Sequence, residues 1–279
     1  MFNVPPPTIV DIETTLACPS DCIMCPRREV LATRRDRTMS SENVHKIIDQ
    51  LAVWKPMVQW GWINEPLADE RLFEFIAHGR QLGLKGWINS NGALLNEKNM
   101  KQLINSGMFR INFAIDSMDK AKYNKSRKGL DLDDVVGRIK RFIEMNNKCG
   151  HPIGVMISQI TIPGFNDGEH EAFRKYWAPL VDLVQHPEYR TRGAEWDKKF
   201  ENIILGRYCF HIENEMPITT DGDVPLCCCD AVVAHPTANV FEVGVVKAWN
   251  TTRRARALDK IRKTGMESLG FCRLHTEKN

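Results

Sequence analysis

The sequence predicts an α/β fold: a partial barrel of six strand–helix units, followed by a small C-terminal unit made of a β-hairpin plus a helix. Three observations predict it. Short apolar runs alternate with amphipathic stretches as far as about Gln185. The cysteines gather at the two ends of the chain, with only Cys149 between them. A strong hairpin signal, Thr-Thr-Asp-Gly-Asp-Val around Asp221-Gly222, then breaks the strand–helix rhythm.

The elements follow in order. Thr8–Thr15 (TIVDIETT) reads as the first strand. SSENVHKIIDQLAVW reads as a helix, with Ser40 or Ser41 as its cap and Val44, Ile47, Ile48 and Leu51 at helical spacing. Met57–Ile63 is the second strand, and DERLFEFIAHGRQLG a helix ended by Gly83. Gly86–Ser90 is the third strand, and NEKNMKQLINSG a helix closed by Gly107. Phe109–Asp116 is the fourth strand, followed by the helix LDDVVGRIKRFIEMNN. Ile153–Thr161 is the fifth, and GEHEAFRKYWAPL with Val181–Gln185 makes a sixth pair. Strict alternation implies a parallel sheet with right-handed crossovers. Six units instead of eight imply an open structure, a partial (β/α)6 TIM barrel with its site at the C-terminal ends of the strands. The predicted boundaries are 1–185 for the barrel, 186–208 for a polar linker and 209–279 for the C-terminal unit.

Composition narrows the class. With 279 residues, 43% of them hydrophobic, the chain can bury a large core. A net charge of +3 gives no reason to expect nucleic acid as a partner. No apolar run reaches the ~20 residues that span a bilayer, and the N-terminus lacks a signal-peptide pattern. A cytoplasmic location without a membrane partner is expected, so disulfides are not the first reading of the nine cysteines.

The stretch TLACPSDCIMCPR carries Cys18, Cys22 and Cys25 directly after the first strand. Three thiolates suit an iron–sulfur cube that keeps one iron open for another ligand. Pro19 and Pro26 keep the stretch out of a helix. Cys-x3-Cys-x2-Cys after a first strand resembles the signature of radical S-adenosylmethionine enzymes. WINEPLADERL (Trp62–Leu72), NSNGALL (Asn89–Leu95) and INFAIDSMDKAKYNKSRKG (Ile111–Gly129) resemble that family's later segments, in the same order and each at a strand end.

The resemblance implies a [4Fe-4S] cluster on Cys18, Cys22 and Cys25 that binds S-adenosylmethionine. Reductive cleavage of that cosubstrate would then yield a radical that takes hydrogen from a substrate C–H bond. It implies Glu65 as acceptor for the cosubstrate's amine. Asn64 stands in place of a glycine of the family's Gly-Gly-Glu, and Ala114 where many relatives have Ser. Asp116 and Asn91 are therefore expected to take more of the ribose contacts, with Ser90 and Gln159 as further candidates. Arg127 is expected to neutralise a carboxylate of cosubstrate or substrate, or else to form a surface ion pair. A flavodoxin- or ferredoxin-type electron donor is implied as a partner.

The C-terminal unit resembles the twitch type of extension, which carries one auxiliary iron–sulfur cluster, here a second [4Fe-4S]. The matching pieces are Cys209, TDGDVPLC with Cys227, a Trp-containing helix over about Lys247–Thr264, and Cys272-Arg-Leu-His275. The fourth ligand is open between His275, Cys229, Cys228 and an iron left free for substrate. Adjacent residues on an extended segment face opposite sides. On that ground Cys227 and Cys229 are expected to share one cube, leaving Cys228 aside. Cys228 and Cys229 are the candidate catalytic thiols, as hydrogen-atom donors. Trp60, Trp62, Trp87 and Tyr123 either floor a sugar-like ring or belong to the core.

Three reactions fit. The first is oxidation of an alcohol carbon of a sugar- or aminocyclitol-like metabolite, with the auxiliary cluster taking an electron. The second is epimerisation of a sugar or a peptide through a cysteine donor. The third, maturation of a ribosomal peptide, is disfavoured because about ten residues precede the first strand.

Overall fold

The structure is a computed structural model that describes residues 4–35, 37–187 and 210–265. Its strands are β1 (Ile9–Ile12), β2 (Asp21–Cys22), β3 (Met57–Trp60), β4 (Lys85–Ser90), β5 (Arg110–Ala114), β6 (Arg127–Lys128), β7 (Gly154–Ser158), β8 (Leu183–Gln185), β9 (Glu215–Ile218), β10 (Asp223–Pro225) and β11 (Pro236–Asn239). Seven of them form one sheet in the order β8-β7-β5-β4-β3-β1-β9. All its pairings are parallel, as strand–helix alternation requires.

The helices between these strands form for the reasons legible in the chain. Ser40 caps Ser41–Leu51, its side chain accepting from the Asn43 amide at 3.2 Å. Asn96 and Asp131 cap Glu97–Ser106 and Leu132–Lys148 in the same way. Gly107, at φ 71°, ends its helix in the left-handed conformation. The helices bury one face against the sheet. Val10, Ile12, Val58, Trp60, Ile88, Ile111, Phe113, Val155 and Ile157 meet them there in a single core. Trp60 and Tyr123 belong to this core, which removes both from the candidate floor of a substrate site.

Three differences from expectation concern the C-terminal unit. The sheet has a seventh strand, β9, which pairs parallel to β1 with Val10 opposite Met216. The Asp221-Gly222 turn is present, with Gly222 at φ 82° and the Thr219 amide donating to the Asp223 carbonyl at 3.1 Å. The strands it joins are not partners of one another, because β10 pairs antiparallel with β11. Asn239 holds that pairing through its Nδ2, which donates to the Asp221 carbonyl and to Asp223, both at 2.9 Å. The turn therefore links the barrel sheet to the C-terminal hairpin. The expected last helix is broken into Val245–Trp249 and Thr252–Thr264, because Thr251 caps the second piece. The chain contains no helix, among the described residues, long and apolar enough to cross a membrane.

Candidate functional site

The loop after β1 carries Cys18, Cys22 and Cys25, all half-buried. It is shaped from outside as well as by its prolines. β2 pairs antiparallel with β6, placing Cys22 opposite Arg127. The Ile23 amide donates to the Ser126 carbonyl at 2.9 Å, and the Ser20 hydroxyl donates to the Lys128 carbonyl at 3.1 Å. Ser20 Oγ also lies 3.1 Å from Cys22 Sγ, and Asn91 Nδ2 donates to Cys18 Sγ at 3.6 Å. Burial pushes the Cys18 thiol up to about 11. A sulfur so desolvated becomes a thiolate when a metal supplies the compensating charge. Three half-buried sulfurs on one loop, an amide donor aimed at Cys18 and a backbone braced by β6 fit an iron–sulfur cluster.

Glu65 stands beside this loop, its amide donating to the Ala17 carbonyl at 3.0 Å. Its carboxylate is buried and accepts from the Asn91 amide at 2.7 Å, the Ser90 hydroxyl at 2.9 Å and the Leu67 amide at 3.2 Å. Those donors use three of roughly four acceptor positions on a carboxylate. Burial raises its pKa to about 7 against their combined pull. One acceptor position and a desolvated charge suit a cationic amine. Asn64 spends its Oδ1 on the Trp62 amide at 2.8 Å, and its Nδ2 is buried without a partner. The three sequence segments thus converge at the ends of β1, β3 and β4.

Asp116 and Arg127 are committed to each other. Arg127 Nε donates to Asp116 Oδ2 at 2.8 Å and Nη2 to Oδ1 at 3.1 Å, with both side chains buried. A surface ion pair is therefore replaced by a buried bidentate one, and it braces the loop at β6. Gln159 Nε2 donates to the Asp116 carbonyl at 3.3 Å, and Gln159 Oε1 meets His186 Nδ1 at 3.0 Å.

A second buried network links the two halves of the chain. Glu13, the residue after β1, accepts from the Ile63 amide at 3.3 Å and the Thr220 amide at 3.4 Å. Its partner Arg34 lies at 3.6 Å, donates to the Ala231 carbonyl at 2.8 Å and sits over the Trp62 ring. Trp62 Nε1 donates to the Cys228 carbonyl at 3.1 Å. Neither Glu13 nor Arg34 stood among the expected residues. A carboxylate ending an apolar strand, in IVDIETT, was the available signal. Burial raises Glu13 to about 7 from an ordinary 4.5, partly offset by Arg34. An acid raised in this way stabilises the fold while protonated. Its contribution is full below about 4.5 and is lost as pH rises through about 7. The whole interval is worth roughly 3 kcal/mol. Glu65, raised to about 7 by the same cause, titrates in the same window, so urea unfolding of the metal-free chain at pH 5 and pH 8 is expected to show the loss from both acids, and Glu13→Gln to remove about half of it.

At the C-terminal unit, Cys227, Cys228 and Cys229 have their sulfurs within 4.8 Å of one another. This corrects the expectation that Cys228 faces away from Cys227. β10 ends at Pro225, and the next residues form a turn closed by the Asp230 amide on the Cys227 carbonyl at 3.0 Å. Side-chain alternation does not apply to a turn. Cys228 Sγ also lies within 4.8 Å of ligand atoms of His211 and Glu215. A tight set of sulfurs with an imidazole beside it is a donor set suited to iron. Cys209, Cys272 and His275 lie outside the described residues.

The sheet face opposite the core bears a polar belt that sequence reasoning missed. Asn89 Nδ2 donates to Gln59 Oε1 at 2.8 Å. Asn112 Nδ2 donates to Asn89 Oδ1 and lies within reach of Ser158 Oγ, each at 3.0 Å. These residues alternate with the core positions of β3, β4, β5 and β7, so they line the inner face of the barrel.

Comparison with known proteins agrees with this geometry. The Radical SAM superfamily matches residues 12–176, and an iron-sulfur cluster-binding domain, SPASM, matches 209–274. A GTP 3',8-cyclase of Thermodesulfovibrio yellowstonii is 31% identical over 71% of the chain and 61% of its own length. An uncharacterised protein of Methanocaldococcus jannaschii is 31% identical over 57% of the chain and 49% of its own. The chain thus spans about half to three fifths of these relatives. Among solved structures, BtrN in complex with AdoMet and 2-DOIA has a TM-score of 0.67 at 15% identity, covering 97% of this chain and 93% of that one. Streptococcus suis SuiB bound to precursor peptide SuiA has a TM-score of 0.64 at 14% identity, covering 92% and 67%. With a matching domain over residues 12–176, a fitting cysteine loop and the shared barrel, this chain belongs to the radical SAM superfamily and carries a SPASM iron–sulfur domain.

Proposed function

We propose that the chain is a radical S-adenosylmethionine dehydrogenase that oxidises an alcohol carbon of a small, sugar-like metabolite. The belt of Gln59, Asn89, Asn112 and Ser158 carries this reading. Carboxamides and a hydroxyl offer donors and acceptors without net charge. That suits a ring bearing several hydroxyl or amino groups.

Cys18, Cys22 and Cys25 are assigned to the first cluster, and Cys227 with Cys209 and Cys272 to the auxiliary one. Cys229, Cys228 and His275 compete for the remaining place there. Glu65 accepts the cosubstrate's amine, and Ser90 and Asn91 hold Glu65 in place. Asp116 and Arg127 keep the cysteine loop against β6. When bound, the clusters and S-adenosylmethionine supply hydrogen-atom abstraction from an unactivated C–H bond and a sink for one electron. A flavodoxin- or ferredoxin-type protein is the proposed electron donor.

Epimerisation is the second reading, raised by the run of three cysteines. Its donor thiol has to reach the substrate carbon; Cys228 is 4% exposed with its carbonyl held by Trp62, which leaves the half-buried Cys229 as the donor for this reading. A peptide substrate is the third, by likeness to SuiB. Anaerobic turnover of cyclitols and amino sugars in deuterated water separates them. A product two mass units lighter is expected. Deuterium gained at a stereocentre with no loss of hydrogen would replace the dehydrogenase with an epimerase.

A further inference from the structure

The helix Thr252–Thr264 carries a guanidinium into the interior of the C-terminal unit. Arg254 is 0% exposed. Its Nη1 donates to the Leu226 carbonyl at 3.4 Å, and its Nη2 donates to the Ile212 carbonyl. Its Cζ lies 3.5 Å from the centroid of the Trp249 ring. Its Nε is buried with no partner. Glu213, whose charge acts on Arg254 without forming an ion pair with it, is paired with Arg262 at 3.4 Å. Among the described residues no carboxylate forms an ion pair with Arg254.

Two carbonyls and a ring face help a guanidinium, but none of them carries a full negative charge. A buried cation without an anion is costly, and removing a counter-charge from such a site is more so. The feature beside Arg254 is the cysteine turn. Leu226, whose carbonyl it holds, precedes Cys227, Cys228 and Cys229. Arg254 packs into the apolar layer formed by Ile212, Leu226, Cys227 and Leu258, where little water screens its charge. Thiolates on an iron–sulfur cluster held by this turn would supply a negative charge at that place.

We propose that Arg254 is the counter-cation of the auxiliary cluster, a positioning residue whose charge raises that cluster's reduction potential and so favours its taking an electron. This rests on the auxiliary cluster being held at the Cys227–Cys229 turn. A buried positive charge stabilises the reduced, more negative state of a cluster, since net charge and burial are among the determinants of its potential. The sequence alone does not announce this, because Arg254 sits in the basic run Arg253-Arg254-Ala255-Arg256, which reads as a solvated helix face.

The test uses the full chain with Cys18, Cys22 and Cys25 all changed to Ala, reconstituted anaerobically with iron and sulfide, so that only the auxiliary cluster titrates. Iron per chain and the midpoint potential are read for this parent and for its Arg254→Lys and Arg254→Met derivatives. Circular dichroism of each checks the fold. Arg254→Lys, which keeps the charge, is expected to hold parental iron at a potential near the parent's. Arg254→Met, which keeps the apolar stem, is expected to lose the iron or to titrate at a lower potential. The expected shift is at least tenfold in the one-electron equilibrium, about 59 mV. Equal iron and equal potential in Arg254→Met would overturn the proposal. So would a loss in Arg254→Lys as large as in Arg254→Met, which would make the role one of shape. A parent that binds no iron at all, or one whose iron survives Cys227→Ala, would instead sink the placement of the cluster, and the proposal with it.

Discussion

Cys22→Ala is expected to strip the chain of its first cluster, a fall of roughly four irons per molecule, and to abolish cleavage of S-adenosylmethionine. A cube held by three thiolates has no spare protein ligand. Cys22 is also firmly placed. Its backbone is paired with Arg127 in β2–β6, and its sulfur lies 3.1 Å from the Ser20 hydroxyl. No neighbouring cysteine within the loop can swing into its position without breaking that pairing. Iron and sulfide assays on anaerobically reconstituted protein, with release of methionine as the activity readout, check the result. Cys149→Ala is the control. That residue is exposed at the end of the helix Leu132–Lys148, and its loss should leave both readouts unchanged. Retention of all the iron in Cys22→Ala would remove this loop as the cluster's holder.

Arg127→Met is expected to cost the fold about 3–5 kcal/mol, the range for breaking one partner out of a buried ion pair. The cost comes mostly from Asp116, which is 0% exposed and would keep a carboxylate with no cation beside it. Changing Asp116→Asn as well should recover much of the loss, because the remaining amide carries no charge. Urea unfolding of the metal-free chain gives the four stabilities of that cycle. A second readout follows from the loop. If β6 loosens, the first cluster should be bound less completely in Arg127→Met even where the chain is folded. Additive effects of the two substitutions would mean that the pair is not the brace described above.

The barrel was readable in the chain because its signals are local. Helix caps lie within three residues of what they cap, and apolar spacing repeats every turn. The strands were found one by one, each flanked by a helix. β9 was missed as a member of the sheet, since Glu-Met-Pro-Ile gives no hint that it lies beside β1, roughly two hundred residues earlier. The turn at Cys227–Cys229 was misread for a related reason. Alternation holds only while a strand continues, and the end of β10 at Pro225 depends on its partner β11.

The front motif belongs to what the sequence by itself determined. Three cysteines within eight residues, each of the outer two followed by a proline and all set after a strand, are a local pattern that names a cluster-binding loop, although its shape is held by β6. Glu65 was singled out by its motif, while its burial and its three donors came from the fold. Only the tertiary structure decided the partners of charged side chains: Asp116 for Arg127, and Glu13 with the Ala231 carbonyl for Arg34. It alone also aligned Gln59, Asn89, Asn112 and Ser158 in one belt. The physical reason is the same throughout. Backbone preference and apolar periodicity act between neighbours in the chain, while charge pairing and cross-strand register are settled between residues that meet only once the chain is folded.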